Sequence, residues 1–340
     1  MPIIVNSNVF TLTQLTNMLG PDHKIQTLVA NLLSQQNGII ADAGWIESNL
    51  PLGHMGEVET GLPESFYTGY NQFVPVSNGS SMPITESSAR LEAYTQVDRR
   101  LADVGGPSQA AALRVRKSQQ QLESFNQTFA RNVFYGSRAN PTAFEGLSSR
   151  YNSLEAGNAQ NILDMGGTAG TNASIWLITW KPDAITCFFP QGSKSGIEYR
   201  DLGIQTLQSI NTGTFSDTNT GLQEVYRGHW EWQHGLFVQD WRYAVRMANI
   251  DMPTLLAKQG ADLLDGMIRA THHIPNINSG RPAFYVNRTI AEMLDVQTRD
   301  AVLSGGQLKY EVVDGVNTMV FRGIPIRVCD QLLLTEARVV

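Results

Sequence analysis

Charge is scarce in this chain. Lys, Arg, Asp and Glu make up 16% of its 340 residues, against roughly 25% in an average soluble domain. Ser, Thr, Asn and Gln fill the deficit. Such a surface, polar without being charged, fits a secreted or aggregation-tolerant protein. It also fits a subunit whose faces are buried against neighbours, where Lys, Glu and Asp are depleted. Arg outnumbers Lys about three to one. A guanidinium makes several fixed bonds at little loss of hydration, so this bias favours the second reading, although genome composition alone can produce the same ratio.

Basic runs are absent too. At a net charge of -6 the chain has no clustered Lys and Arg to neutralise phosphates, which argues against a protein that grips nucleic acid. A slightly acidic wall that encloses DNA and lets it slide remains compatible. Cysteine is limited to Cys187 and Cys329, far apart and without companions at ligand spacing, so neither a disulfide framework nor a thiolate metal site is expected. A reducing, cytoplasmic origin follows. No stretch approaches the ~20 apolar residues that span a bilayer, and MPIIVNSNVF has neither a basic n-region nor a long apolar h-region. A soluble chain without membrane contact or secretion signal is expected. Asn-x-Ser/Thr matches at Asn78, Asn126, Asn172 and Asn287 are then chance.

What the chain does contain is an ordinary apolar fraction, 42%, on a length suited to one large or two modest domains. Leu12, Leu15 and Leu19 predict a short helix ended by Gly20-Pro21. Ile25, Leu28, Val29, Leu32 and Leu33 predict a second, closed by Asn37-Gly38. From Leu50 to Arg90, Pro51, Pro63, Pro75 and Pro83 separate short alternating stretches, a pattern of a long extended hairpin or loop. With little apolar content it cannot build a core, so a neighbouring subunit is expected to hold it.

The clearest helix runs from Pro107 to Tyr135. Proline stands in its first turn, Gly136 lies beyond its end, and Leu122, Phe125, Phe129 and Val133 form its stripe. Its first half, around Arg114, Arg116 and Lys117, reads as solvated or partner-facing. Strand-like runs follow at Ser174–Trp180, Ile185–Phe189, Gln223–Trp232 and Leu236–Ile250. A helix is expected over Pro253–Thr271 with Pro275 as its stop, another over Asn287–Val302, and two last strands over Leu308–Val313 and Thr318–Val328. The layout is α+β.

Chemistry is hard to find. Gly166 to Thr171 lacks the Gly-Lys-Ser/Thr of a phosphate loop and reads as a turn. Gly192-Ser193-Lys194-Ser195-Gly196 carries Lys194 where a nucleophile elbow needs serine. On a strand, His229 and Glu231 share a face as metal ligands do, but no third ligand stands at a recognisable spacing. The plainer reading packs Trp230 and Trp232 into a core with their polar neighbours outside. His272 and His273 end a helix, where a cation suits the carbonyl end. Asp262 and Asp265 lie at helical spacing on an outer face. No catalytic, cofactor-binding or metal residues are assigned, no cofactor is expected, and the chain is not read as an enzyme.

Seven blocks in order resemble the major capsid protein family of short-tailed and some other tailed bacteriophages. They are NGIIADAGWIESN (37–49), GLPESFYTGYNQFVP (61–75), FYGSRANPTAFEGLSSRYNSL (134–154), GGTAGTNASIWLITW (166–180), FFPQGSKSGIEYRDLG (188–203), HGLFVQDWRYAVRMANID (234–251) and GIPIRVCDQLLLTEARVV (323–340). The third is the most specific. The resemblance spans nearly the whole chain and implies a Hong Kong 97-like capsid fold: N-terminal arm (1–50), extended E-loop (51–90), peripheral domain with spine helix (91–165), and axial domain (166–340) with strands returning to the peripheral domain. It implies self-assembly into pentamers and hexamers of an icosahedral phage head, built in the host cytoplasm around double-stranded DNA that is not read by sequence. Scaffolding protein, portal and, in some heads, decoration protein are the further partners.

Two departures stand out. Where the family pattern carries Arg before and after its Thr-Gly-Leu-Pro, this chain has Glu57, Val58, Glu59 and Phe66 nearby. No Lys lies between Lys24 and Lys117, so an isopeptide cross-link from an E-loop lysine is impossible. An encapsulin-like nanocompartment shares the implied fold and is the closer alternative. A carbohydrate-binding or hydrolytic protein, resting on six Trp and the His-Trp-Glu-Trp run, is the more distant one.

Overall fold

The computed structural model of the chain describes residues 37–104, 107–168, 170–193, 195–209, 221–301, 308–313 and 316–340. The two helices expected over 11–19 and 25–33, and most of the expected arm, lie outside the described residues. Fourteen described strands are β1 (Trp45–Glu47), β2 (Gly53–Gly61), β3 (Ser80–Ser87), β4 (Ala89–Asp98), β5 (Ile162–Asp164), β6 (Asn172–Trp180), β7 (Ile185–Phe189), β8 (Glu198–Ser209), β9 (Gly221–Val238), β10 (Ala244–Asp251), β11 (Arg281–Val286), β12 (Leu308–Val313), β13 (Val316–Phe321) and β14 (Ile324–Val328). The helices are α1 (Ile39–Asp42), α2 (Arg99–Asp103), α3 (Pro107–Tyr135), α4 (Leu147–Arg150), α5 (Met252–Leu256), α6 (Leu263–His273) and α7 (Arg288–Ala301). The α+β expectation is met.

Contacts group the described residues into two compact units that are not contiguous in sequence: Leu91–Asn126 with Gly196–Trp232, and Gln35–Arg90 with Gln127–Ser195 and Gln233–Val340. In the first, β9 lies between β8, its antiparallel partner, and β4. A small core of Val97, Ala102, Ala110 and Leu113 closes it.

The second unit holds a seven-stranded sheet in the order β12-β13-β14-β11-β6-β10-β5, antiparallel except where β14 meets β11 and β5 meets β10. Strand β6 is buried along its whole length. Ala173, Ile175 and Leu177 face a core shared with α5, α6 and α7, whereas Trp176 packs among Phe134, Tyr151 and Arg246 on the other side. A strand covered on both faces must be apolar throughout, which is why SIWLITW shows no alternation. Helix α6 comes so close to the sheet that a Cβ on Gly266 would stand 2.4 Å from the Met247 methyl.

Several sequence expectations need correction. The helix expected over Pro253–Thr271 is two helices. Lys258 takes a left-handed φ of 58°, and Asp262 caps α6 by accepting from the Asp265 amide. Leu256 is exposed. The last strand splits in two at Arg322-Gly323, both with positive φ (51° and 82°), the geometry of a tight hairpin turn. Strands β4 and β8 were not anticipated. The first half of α3 is not simply solvated: Leu113 is buried, and Arg114 hydrogen-bonds Asp201 and lies over Tyr226. On its stripe Phe125, Phe129 and Val133 are buried but Leu122 is exposed. The helix bounds Pro107 and Tyr135 agree with expectation.

Candidate assembly surface

The segment 50–90 is the expected hairpin. Strands β2 and β3 pair antiparallel from Gly53↔Ser87 to Gly61↔Ser80. A lone two-stranded ribbon is marginal in water, so its base must be held. Asn49 does this with its side-chain amide, accepting from the Met55 N–H (2.9 Å) and donating to the Met55 carbonyl (2.7 Å). Gln239 donates to the Glu57 carbonyl at 2.8 Å. Arg150 grips Glu86 through both terminal guanidinium nitrogens, at 2.6 and 2.8 Å, and both side chains are largely buried. Gly56 lies flat on Phe237, where a Cβ would meet the ring at 2.4 Å.

Beyond this base the chain runs into residues 62–79, without regular secondary structure apart from a turn at Tyr70-Asn71. Asn71 takes a φ of 62°, a conformation asparagine tolerates better than most residues. Local bonds shape the tip: the Gly69 amide donates to Gln72 Oε1 (3.1 Å) and the Glu64 amide to Ser77 Oγ (3.0 Å). Tyr67, Tyr70 and Phe73 are fully exposed within the chain, and Leu62, Val74 and Val76 are mostly so. Scattered exposed apolar residues need no explanation, but a contiguous run of this kind marks an interaction surface. Charge there has one sign. Glu57, Glu59 and Glu64 are the charged residues between Pro51 and Met82, and no Lys or Arg occurs from Ile25 to Ala89.

The residues weighed for chemistry fall elsewhere. His229 and Glu231 share a face of β9 as expected, and a carboxylate distant in sequence, Glu92 of β4, joins them. The third partner was invisible to motif spacing because pairing of β4 with β9 brings it in. Trp230 and Trp232 are buried as expected, but their polar neighbours His229 and His234 are buried as well. His234 packs edge-on against Phe129 and Phe144. His272 and His273 end α6, Asp262 caps it, and Asp265 pairs with Arg269. Gly166 and Gly192 take positive φ, Gly192 within a turn.

The family of major capsid protein GP7 matches residues 20–340. A chain from the near-atomic-resolution structure of bacteriophage Epsilon15 is 28% identical, covers 99% of this chain and 99% of its own, and superposes with a TM-score of 0.73. The bacteriophage JBD30 capsid covers 95% and 99% at 9% identity with a TM-score of 0.47. An encapsulin of Synechococcus elongatus covers 66% and 92% at 9% identity with a TM-score of 0.43. These last two are too distant to bear on function. No curated protein sequence matches the chain.

Proposed function

The chain belongs to the family of major capsid protein GP7, and from that membership we propose that its copies join into the phage shell through the exposed tip of the β2–β3 hairpin. The protein is a structural component of a bacteriophage capsid, with the Hong Kong 97-like fold, and many copies build the shell. The family match favours this over an encapsulin-like compartment. The finer reading keeps the division into arm (1–50), E-loop (51–90), peripheral domain with α3 as its spine (91–165) and axial domain (166–340), with assembly through pentamers and hexamers. Scaffolding protein, portal and, in some heads, decoration protein act on the same shell, and DNA meets its inner face without sequence readout. The role is architectural, so no catalytic step is assigned.

One observation carries the proposal: fully exposed Tyr67, Tyr70 and Phe73 on a tip that the other described residues do not cover. Aromatic residues are enriched in interface cores, and each ring buries ~150–250 Å² when covered. Glu57, Glu59 and Glu64 beside them call for basic groups on the receiving subunit, and Arg is the common cation at such contacts. No lysine is available in the loop for a covalent tie, so affinity must come from many weak contacts repeated around closed rings. Expression of the full chain with and without its neighbouring genes, followed by electron microscopy, tests this. Closed shells or capsomers are expected; a monodisperse monomer at high concentration under every condition would contradict it.

A further inference from the structure

Apart from the hairpin, the first unit contains a cluster that the shell reading does not use. His229 and Glu231 stand two residues apart on β9 and so point to one face, and Glu92 comes in from β4 alongside. One ligand atom from each of the three lies within 4.8 Å of the others. His229 is 5% exposed, and its ring packs tilted against that of Tyr94 at 4.5 Å between centroids. Its Nε2 has no hydrogen-bond partner, and the Glu92 carboxylate oxygen, at 3.9 Å, is too far to accept one. A buried imidazole nitrogen left unsatisfied is costly unless something binds it. Glu198 pairs directly opposite Glu231 on β8, which adds negative charge to the same face.

We propose that Glu92, His229 and Glu231 form a binding site for a single divalent transition-metal ion of the zinc type, tying β4 to β9. One imidazole nitrogen and two carboxylate oxygens suit zinc, with water in the fourth position, better than calcium or magnesium, which take oxygen ligands alone. Zinc bonds to such ligands are about 2.0–2.2 Å long, so in a tetrahedral site two of them stand ~3.4 Å apart. The three groups, within 4.8 Å of one another and with Glu92 3.9 Å from the imidazole, must therefore draw together around the ion. The Glu92 side chain, 36% exposed, borders solvent.

Arg200 is one competing cation. Its Nη2 lies 3.3 Å from His229 Nδ1 and 3.3 Å from a Glu231 oxygen. Metal on Nε2 places the ring proton on Nδ1, which then repels the guanidinium. Arg200, 60% exposed, keeps Glu231 and releases the ring.

The test is calorimetric titration of chelator-stripped full-length protein with zinc chloride, repeated on Glu92→Gln and His229→Gln. One ion per chain is expected, with affinity reduced by more than about tenfold in each variant. Because His229 is buried and its replacement can unfold the unit, Glu92→Gln carries the test alone if needed, joined by the visible absorption of Co²⁺ bound to the unmodified protein. Absence of binding, or the same affinity in Glu92→Gln as in the unmodified protein, overturns the proposal.

Discussion

Glu336→Gln isolates one buried charge in the second unit. The Glu336 carboxylate accepts from Arg246 Nη2 at 2.8 Å and from the hydroxyls of Tyr135 and Ser174. Arg246 also donates to Ser174 Oγ (3.1 Å) and to the Tyr151 carbonyl (2.7 Å) while lying over the Trp176 ring. Both side chains of the pair are nearly sealed, 4% and 5% exposed. Burial raises the Tyr135 phenol well above its usual range, the nearby Glu336 charge raises it further, and it stays a donor. Replacing the carboxylate by an amide of the same shape leaves Arg246 charged and buried without its counter-ion, which costs about 3 kcal/mol or more. At ~2–4 °C per kcal/mol for a body of this size, the melting temperature should fall by at least about 6 °C. Adding Arg246→Met removes the orphan charge, so the double variant should lose less than the sum of the single losses. Scanning calorimetry of unassembled protein measures all three. A loss below about 1 kcal/mol for Glu336→Gln, outside the range for a broken buried pair, or strict additivity, would refute the reasoning.

Three further outcomes follow from local geometry. Gly56→Val drives a side chain into Phe237 and should destabilise the hairpin base by about 1–3 kcal/mol, seen as faster amide exchange in β2 and β3; unchanged exchange would show that the ribbon is not seated there. Asp201→Asn tests the Arg114 hydrogen bond, which together with the Gly203 amide holds the Asp201 carboxyl below its usual range. The depressed value means this stability is present above pH ~4 and is lost as pH falls through the folded-state value. The pair is half exposed, so the difference from the unmodified protein should be under about 1 kcal/mol at neutral pH, vanishing in acid denaturation curves at low pH. Cys187 and Cys329 are fully buried; burial pushes the Cys187 thiol up and the Cys329 thiol to about 11. Neither should react with a thiol reagent at pH 8 until denaturant is added, and rapid native labelling would contradict the packing.

Much of this fold was legible because some signals are local. Pro107 and Gly136 punctuate α3, and its bounds were readable from them. The proline-rich stretch 51–83 announced an extended hairpin because it lacked the apolar residues of a core. Other features depend on distant chain. Strand β4 alternates as ARLEAYTQVD, a pattern weak on its own, and becomes a strand by lying against β9. Strand β8 likewise needs β9. The break between α5 and α6 was hidden because Leu256, Leu263 and Met267 keep helical spacing across it, while Lys258 in a left-handed conformation is not encoded by any glycine or proline at that position. The exposed tip was readable as a segment without its own core, but the identity of its exposed rings came from the structure. Glu92 could not be paired with His229 by spacing at all. Arg246 and Glu336, 90 residues apart, form a buried pair that likewise no local motif announces.

The measurement closest to the central claim replaces Tyr67, Tyr70 and Phe73 together by Ser and compares the variant with the unmodified chain by sedimentation velocity and calorimetry. Because the three rings are covered by none of the described residues, the isolated subunit should melt within about 0.5 kcal/mol of the original. Large assemblies should be lost. A variant that still forms shells of the same size and stability would contradict assembly through the hairpin tip.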